Sequence, residues 1–137
     1  MIDRARIVLP RPLRDELIAH ARESAPQECC GLLLGDGETV RRVMRCRNVH
    51  PAPETRYIID KTQLFEAFRA SADFDRELVA IYHSHPRSPA YPSPTDRAEA
   101  LWPLPGYVLV SLRADTPEVF AYRVADDAVR EIPISEG

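Results

Sequence analysis

The sequence predicts a mixed α/β fold: one curved β-sheet flanked by helices, a single domain spanning residues 1–137. Three observations predict it. Strand-type and helix-type segments alternate along the chain instead of gathering at one end. Two runs, 31–35 (GLLLG) and 77–83 (ELVAIYH), are apolar enough to lie inside a covered sheet. A chain of 137 residues with 45% hydrophobic and 28% charged content supplies one packed core, with little left for a second.

The elements follow in order. Residues 5–9 (ARIVL) read as a strand. Residues 12–23 read as a helix, because Leu13, Leu17, Ile18 and Ala21 share one face and Pro12 suits the first helical position. The apolar strand 31–35 is bounded by the turn chemistry of Gly35 and Gly37 and forms a hairpin with a strand over 39–49. Residues 56–60 (RYIID) form another short strand, and 61–71 a helix with Leu64, Phe65 and Phe68 turned inward. The run 77–83 is a central strand. Four prolines make 86–94 a stiff loop, which leads into a short helix over 94–102. Strands over 107–112, 119–124 and 129–134 complete the chain, the last two joined at Asp126 and Asp127.

Bulk properties exclude several functions. The net charge is −3, so no basic face for nucleic acid is expected. No apolar run approaches the ~18 residues that cross a membrane. The first residues, MIDRARIVLPRP, lack the apolar stretch of a signal peptide, so a cytoplasmic location is expected. Three cysteines, Cys29, Cys30 and Cys46, make no disulfide framework and lack Cys-x-x-Cys spacing; they read as reduced and partly buried. His20 and His50 read as surface residues.

The chemistry concentrates at Tyr82-His83-Ser84-His85-Pro86. If the strand runs on to His85, His83 and His85 point the same way, with Cα atoms roughly 6.5 Å apart, and Ser84 points the other way. Two imidazoles at that spacing can converge on one ion with bonds of about 2.0–2.1 Å. A catalytic zinc needs a third protein donor and an open position. Asp96 lies across the proline-rich loop and can supply it. Each residue also has a structural reading. The histidines can be satisfied core or surface residues. Ser93-Pro94-Thr95-Asp96 fits a capping box, and that use of Asp96 competes with metal ligation. Hydrolysis also needs a carboxylate base. Glu28, just ahead of the strand 31–35, is one candidate among many acids, and its alternative is a solvated loop residue.

These residues resemble a known pattern. His83-Ser84-His85-Pro86 followed by Ser93-x-x-Asp96 is similar to the JAMM motif of the MPN-plus (JAB domain) metallopeptidases, and Glu28-Cys29-Cys30-Gly31-Leu32-Leu33-Leu34-Gly35 resembles that family's upstream glutamate segment. The likeness runs on through Tyr57 to Asp60, Thr95-Asp96-Arg97 and residues 107–112, covering roughly 4–134. It implies the cytidine-deaminase-like MPN fold. It also implies one Zn2+ per chain held by His83, His85 and Asp96, with Glu28 as general base and Ser93 as the hydroxyl that steadies the oxyanion. The short chain looks like stand-alone prokaryotic members, which are associated with ubiquitin-like sulfur carriers ending in Gly-Gly. The reaction so implied is hydrolysis of a peptide or isopeptide bond after that tail, which pairing to an exposed strand can hold. The alternative is a non-catalytic binding module for such tails or a scaffold protein. A nucleobase deaminase lacks support because its His-x-Glu and Pro-Cys-x-x-Cys signature is absent. Acidic net charge gives a DNA-repair branch none. A cysteine peptidase built on Cys29 or Cys30 is the remaining alternative.

Overall fold

All eight residues of the strand Leu78–His85 are buried, so neighbours cover both its edges and both its faces. The computed structural model of the chain describes residues 5–98, 106–125 and 128–137. In chain order the elements are β1 (Ile7–Val8), α1 (Arg11–Ser24), β2 (Cys30–Asp36), β3 (Thr39–Cys46), α2 (Lys61–Ala70), α3 (Phe74–Glu77), β4 (Leu78–His85), α4 (Pro94–Ala98), β5 (Tyr107–Ser111), β6 (Glu118–Ala125), β7 (Ala128–Ile132) and β8 (Ile134–Ser135). They form one sheet in the order β7-β6-β5-β4-β2-β3-β1-β8. Its two outermost strands, β7 and β8, are separated in the chain by Pro133 alone, so the sheet curls until its edges approach each other. Pro133 itself accepts the Ile7 N–H at 2.9 Å. This is the curved, mixed sheet the alternating pattern predicts.

The helices divide between the two faces. On one, Leu17, Ile18 and Ala21 of α1 share a core with Leu33, Val79, Tyr82 and Val108. On the other, Ala67 of α2 joins Leu32, Leu78, Ile81 and Tyr107. β4 lies between an antiparallel partner, β2, and a parallel one, β5. Gly31 sits opposite Tyr82, and a Cβ there would meet the Tyr82 ring at 2.5 Å and Met44 O at 2.4 Å. Gly37 closes the β2–β3 hairpin with φ of +65°, a conformation glycine adopts freely.

Several expectations are corrected. α1 begins at Arg11, so Pro12 is its second residue and Pro10 the cap. Residues 56–60 are not a strand; one isolated bridge joins Asn48 to Ile59, and the Ile58 N–H goes to a side chain instead of a ladder. Phe65 and Phe68 are not inward: they are 58% and 55% exposed. Leu64 and Ala67, three residues apart, face the sheet instead, and the Arg69 guanidinium lies 5.1 Å over the Phe65 ring. His20 is buried on the α1 face, its Nδ1 2.7 Å from the Tyr82 hydroxyl. α3 was not anticipated; Asp73 caps it, accepting from the Arg76 N–H. The strand expected at 129–134 is two strands on opposite edges, because Pro133 has no N–H to donate to a ladder. Residues 99–102 of the helix expected at 94–102, and the Asp126–Asp127 junction, lie outside the described residues. Among the described residues no helix is long and apolar enough to cross a membrane.

Candidate metal centre

β4 does continue to His85, and strand parity then acts as expected. His83 and His85 lie on one face with ring centroids 5.0 Å apart. Ser84 lies on the other, where its Oγ accepts the Cys29 N–H at 2.8 Å. Both histidines are buried, and their Nε2 atoms converge on the same oxygen: Asp96 Oδ2 is 3.1 Å from His83 and 2.9 Å from His85.

Glu28 arrives by register. β2 and β4 run antiparallel with Cys30 opposite His83. Counting two residues back from Cys30 and two forward from His83 sets Glu28 beside His85 on the same face. A carboxylate oxygen of Glu28 and one nitrogen from each histidine all lie within 4.8 Å of one another. Glu28 is buried, and its Oε1 has no hydrogen-bond partner among the described residues.

The loop after β4 is pinned through its carbonyls. Pro89 O lies 2.8 Å from His85 Nδ1, Ser88 O accepts from Ser111 Oγ at 2.6 Å, and Ala90 O accepts from the Tyr122 hydroxyl at 2.6 Å. The Pro89 contact has a chemical consequence. A carbonyl can only accept, so His85 Nδ1 carries a proton, which leaves Nε2 as the nitrogen that donates to Asp96 when the ring is protonated and can bind an ion when it is neutral. At the head of α4 the capping box is also present: Asp96 N–H donates to Ser93 Oγ and Ser93 N–H to Asp96 Oδ2, each at 3.0 Å. The capping reading of Asp96 is thus present in the fold, beside its approach to the histidines. The same oxygen serves the cap and faces the histidines. Ser93 Oγ spends only acceptor capacity on the cap and keeps its O–H to donate.

Electrostatics separate the two carboxyls. Burial pushes Glu28 up to about 8, with His85 opposing and Asp96 reinforcing. Burial would also raise Asp96, but its hydrogen bonds to His83 and His85 carry it well below the usual carboxylate range. Burial holds His83 low despite Asp96. At His85 burial is outweighed by the contacts with Asp96 and Pro89, and the ring is raised. The cysteines are reduced and buried; burial raises Cys29 and Cys46 to about 11 and Cys30 further, which disfavours a nucleophilic thiolate.

Two features of the site had escaped sequence reasoning. Tyr57 stacks on His83 with ring centroids 4.2 Å apart, over a ring whose Nδ1 has no hydrogen-bond partner among the described residues. Nothing local in the sequence signals that contact. Asn48 binds the main chain around Glu28; an asparagine just ahead of a proline-bearing loop is the one hint.

The donor set suits a cation. The Nε2 atoms of two enclosed imidazoles converge on one carboxylate oxygen, and an unpartnered carboxyl oxygen stands beside them. Comparisons with known proteins show the family. Residues 10–125 match the family described as prokaryotic homologs of the JAB domain. A probable TtuB-protein conjugate cleaving protease of Thermus thermophilus is 46% identical over 103 residues, covering 75% of this chain and 68% of that protein. A CysO-cysteine peptidase of Mycobacterium bovis is 39% identical over 132 residues, covering 94% and 90%. A crystal structure of a JAB1/MPN domain protein from Archaeoglobus fulgidus shares the fold at a TM-score of 0.61 with 14% identity, covering 95% of this chain and 98% of that one.

Proposed function

The chain belongs to the family of prokaryotic JAB-domain proteins, and from that premise we propose that it is a zinc-dependent peptidase hydrolysing the peptide or isopeptide bond that follows the Gly-Gly tail of a ubiquitin-like or sulfur-carrier protein. The observation that carries this reading is the convergence of His83 Nε2 and His85 Nε2 on Asp96 Oδ2, at 3.1 and 2.9 Å, with a buried, unpartnered Glu28 carboxyl oxygen alongside. The relatives' names supply the substrate class: one cleaves protein conjugates and the other acts on a CysO–cysteine compound.

His83, His85 and Asp96 would hold the zinc. A zinc ion bound there supplies Lewis acidity, polarising a carbonyl and making water easier to deprotonate. Glu28 is close enough to His83 and His85 to be counted as a ligand instead, but the opposed electrostatics support the role of base. A ligand must be ionised, and Asp96 is held so; a base works best with a pKa near neutrality, and Glu28 is raised towards it. Glu28 takes a proton from the attacking water and returns it to the departing nitrogen. Ser93 donates its O–H to the oxygen on which charge develops. The buried setting of Glu28, His83 and His85 keeps these charges out of bulk water and strengthens them.

The test is Glu28→Gln. It should abolish cleavage of a Gly-Gly-X carrier fusion and leave zinc content unchanged by metal analysis. Retained cleavage would refute the base, and lost zinc would make Glu28 a ligand.

A further inference from the structure

Glu28 lies two residues ahead of β2, so no ladder holds its main chain. Its backbone groups go elsewhere. The Glu28 N–H donates to Pro53 O at 2.7 Å, and the Glu28 carbonyl accepts from Asn48 Nδ2 at 3.0 Å. Both partners belong to the segment joining β3 to α2.

Asn48 closes that segment. Its Nδ2 also donates to Arg56 O at 3.0 Å, and its Oδ1 accepts the N–H groups of His50 and Ile58, each at 3.1 Å. Pro53 O also lies 3.5 Å from Nδ2, so carbonyls surround the amino end and N–H groups the oxygen, and only this orientation of the amide satisfies them. The same segment carries Tyr57 onto the His83 ring. One side chain thus ties the main chain of Glu28 to the loop that backs a histidine of the centre.

We propose that Asn48 is a positioning residue for Glu28: by gripping the Glu28 carbonyl it sets where the carboxyl stands over the metal centre. The inference rests on Glu28 being the base. The loop keeps other closures without Asn48's side chain, namely the Asn48–Ile59 bridge and the Val49 N–H to Ile58 O bond at 2.9 Å. Beyond these, the side chain supplies the contacts to the Glu28 and Arg56 carbonyls and to the His50 and Ile58 N–H groups, and only the first two are inverted by an aspartate.

Asn48→Asp tests this. The aspartate preserves shape and both acceptor contacts, and sets an oxygen against the carbonyls of Glu28 and Arg56. In the zinc-loaded full chain, cleavage of a Gly-Gly-X fusion should show kcat lowered about 10- to 100-fold, the range for removing a supporting contact at a metal site. KM should stay within about twofold, since binding of the tail does not use this contact. Zinc content should remain at the wild-type value. Asn48→Ala, which deletes the contacts without inverting them, serves if the aspartate prevents folding. A double-mutant cycle with Glu28→Asp adds a readout that a structural role would not move. A base already displaced by shortening has less to lose, so the two losses should combine to less than their product. Unchanged kcat with a lowered Tm, a loss confined to KM, or strictly multiplicative losses would each overturn the proposal. Full activity in Glu28→Gln would instead remove the premise, and the proposal with it.

Discussion

Zinc should stabilise this fold, and Asp96→Asn should erase the effect. The proposed ligands come from the end of β4 and the head of α4. They are separated in the chain by the loop pinned on Ser111 and Tyr122. Only the folded chain brings Asp96 Oδ2 within 2.9 and 3.1 Å of the two imidazole nitrogens, so the ion binds the native state in preference to the unfolded one. At free zinc about 100 times the dissociation constant, that preference adds about 2.7 kcal/mol. An unfolding entropy of about 2.1 cal/mol/K per residue, over the 137 residues of this chain, makes each kcal/mol worth roughly 3.5 °C, so zinc should raise Tm by about 9 °C over the chelated protein. The amide of Asp96→Asn keeps the shape but loses the charge that the cation needs. It should also lose the metal after dialysis. The assay is calorimetry at neutral pH with zinc or chelator, alongside metal analysis. Equal Tm values in both buffers, or a zinc-dependent rise that survives Asp96→Asn, would refute the ligand assignment.

Three further outcomes are expected. Ser93→Ala should slow turnover about 10²- to 10³-fold as an oxyanion donor and cost about 1 kcal/mol of stability through the lost cap, because Oγ holds the Asp96 N–H; wild-type turnover with only the stability loss would leave the cap as its sole role. His20 is held down to about 4 from an ordinary 6.5, first by burial and then by Arg45, with Glu23 opposing, and its Nδ1 faces the Tyr82 hydroxyl. The folded chain therefore resists protonating it: its contribution is complete above about pH 6.5 and drains as the pH falls towards 4. Allowing for solvent at the ring's edge, this is worth about 1–2 kcal/mol, and His20→Gln should flatten the stability profile between pH 6.5 and 5 in denaturant titrations; parallel profiles would refute it. Gly31→Ala drives a Cβ to 2.4 Å from the Met44 carbonyl and 2.5 Å from the buried Tyr82 ring, so it should cost at least about 1–3 kcal/mol, seen as a Tm drop of several degrees; an unchanged Tm would show that β2 and β3 can separate freely.

What was legible in the sequence divides by range. Helix faces and strand parity are local, and they held wherever one element sufficed: Leu17, Ile18 and Ala21 do face the core, and His83 and His85 do share a side with Ser84 opposed. Phe65 and Phe68 went astray for a physical reason. Periodicity says which residues share a stripe, but which stripe meets the sheet depends on how closely the helix can approach, and the small Ala67 allows that approach where two phenylalanines would hold the helix off. His20 failed similarly, because its partner Tyr82 lies 62 residues away.

The same division runs through the candidate centre. The two histidines and Asp96 are separated by a loop whose carbonyls answer to β5 and β6, so their meeting is half local and half set by the sheet. Glu28 is wholly non-local. Apart from the likeness of residues 28–35 to a family segment, nothing near it in the chain selects it over other acids; what selects it physically is the pairing of Cys30 with His83. A slip of one residue in that pairing would turn Glu28 to the α1 face and Cys29 to the histidines, leaving a buried thiol where the proposed base must stand. Gly31 favours this register: the Tyr82 ring rests where a Cβ of residue 31 would lie, and a slip of one residue would set Cys30 or Leu32, each with a side chain, opposite Tyr82. The glycine that follows the two cysteines is thus as much a condition of the proposed chemistry as the glutamate that precedes them, because it sets which residue of β2's approach the histidines meet.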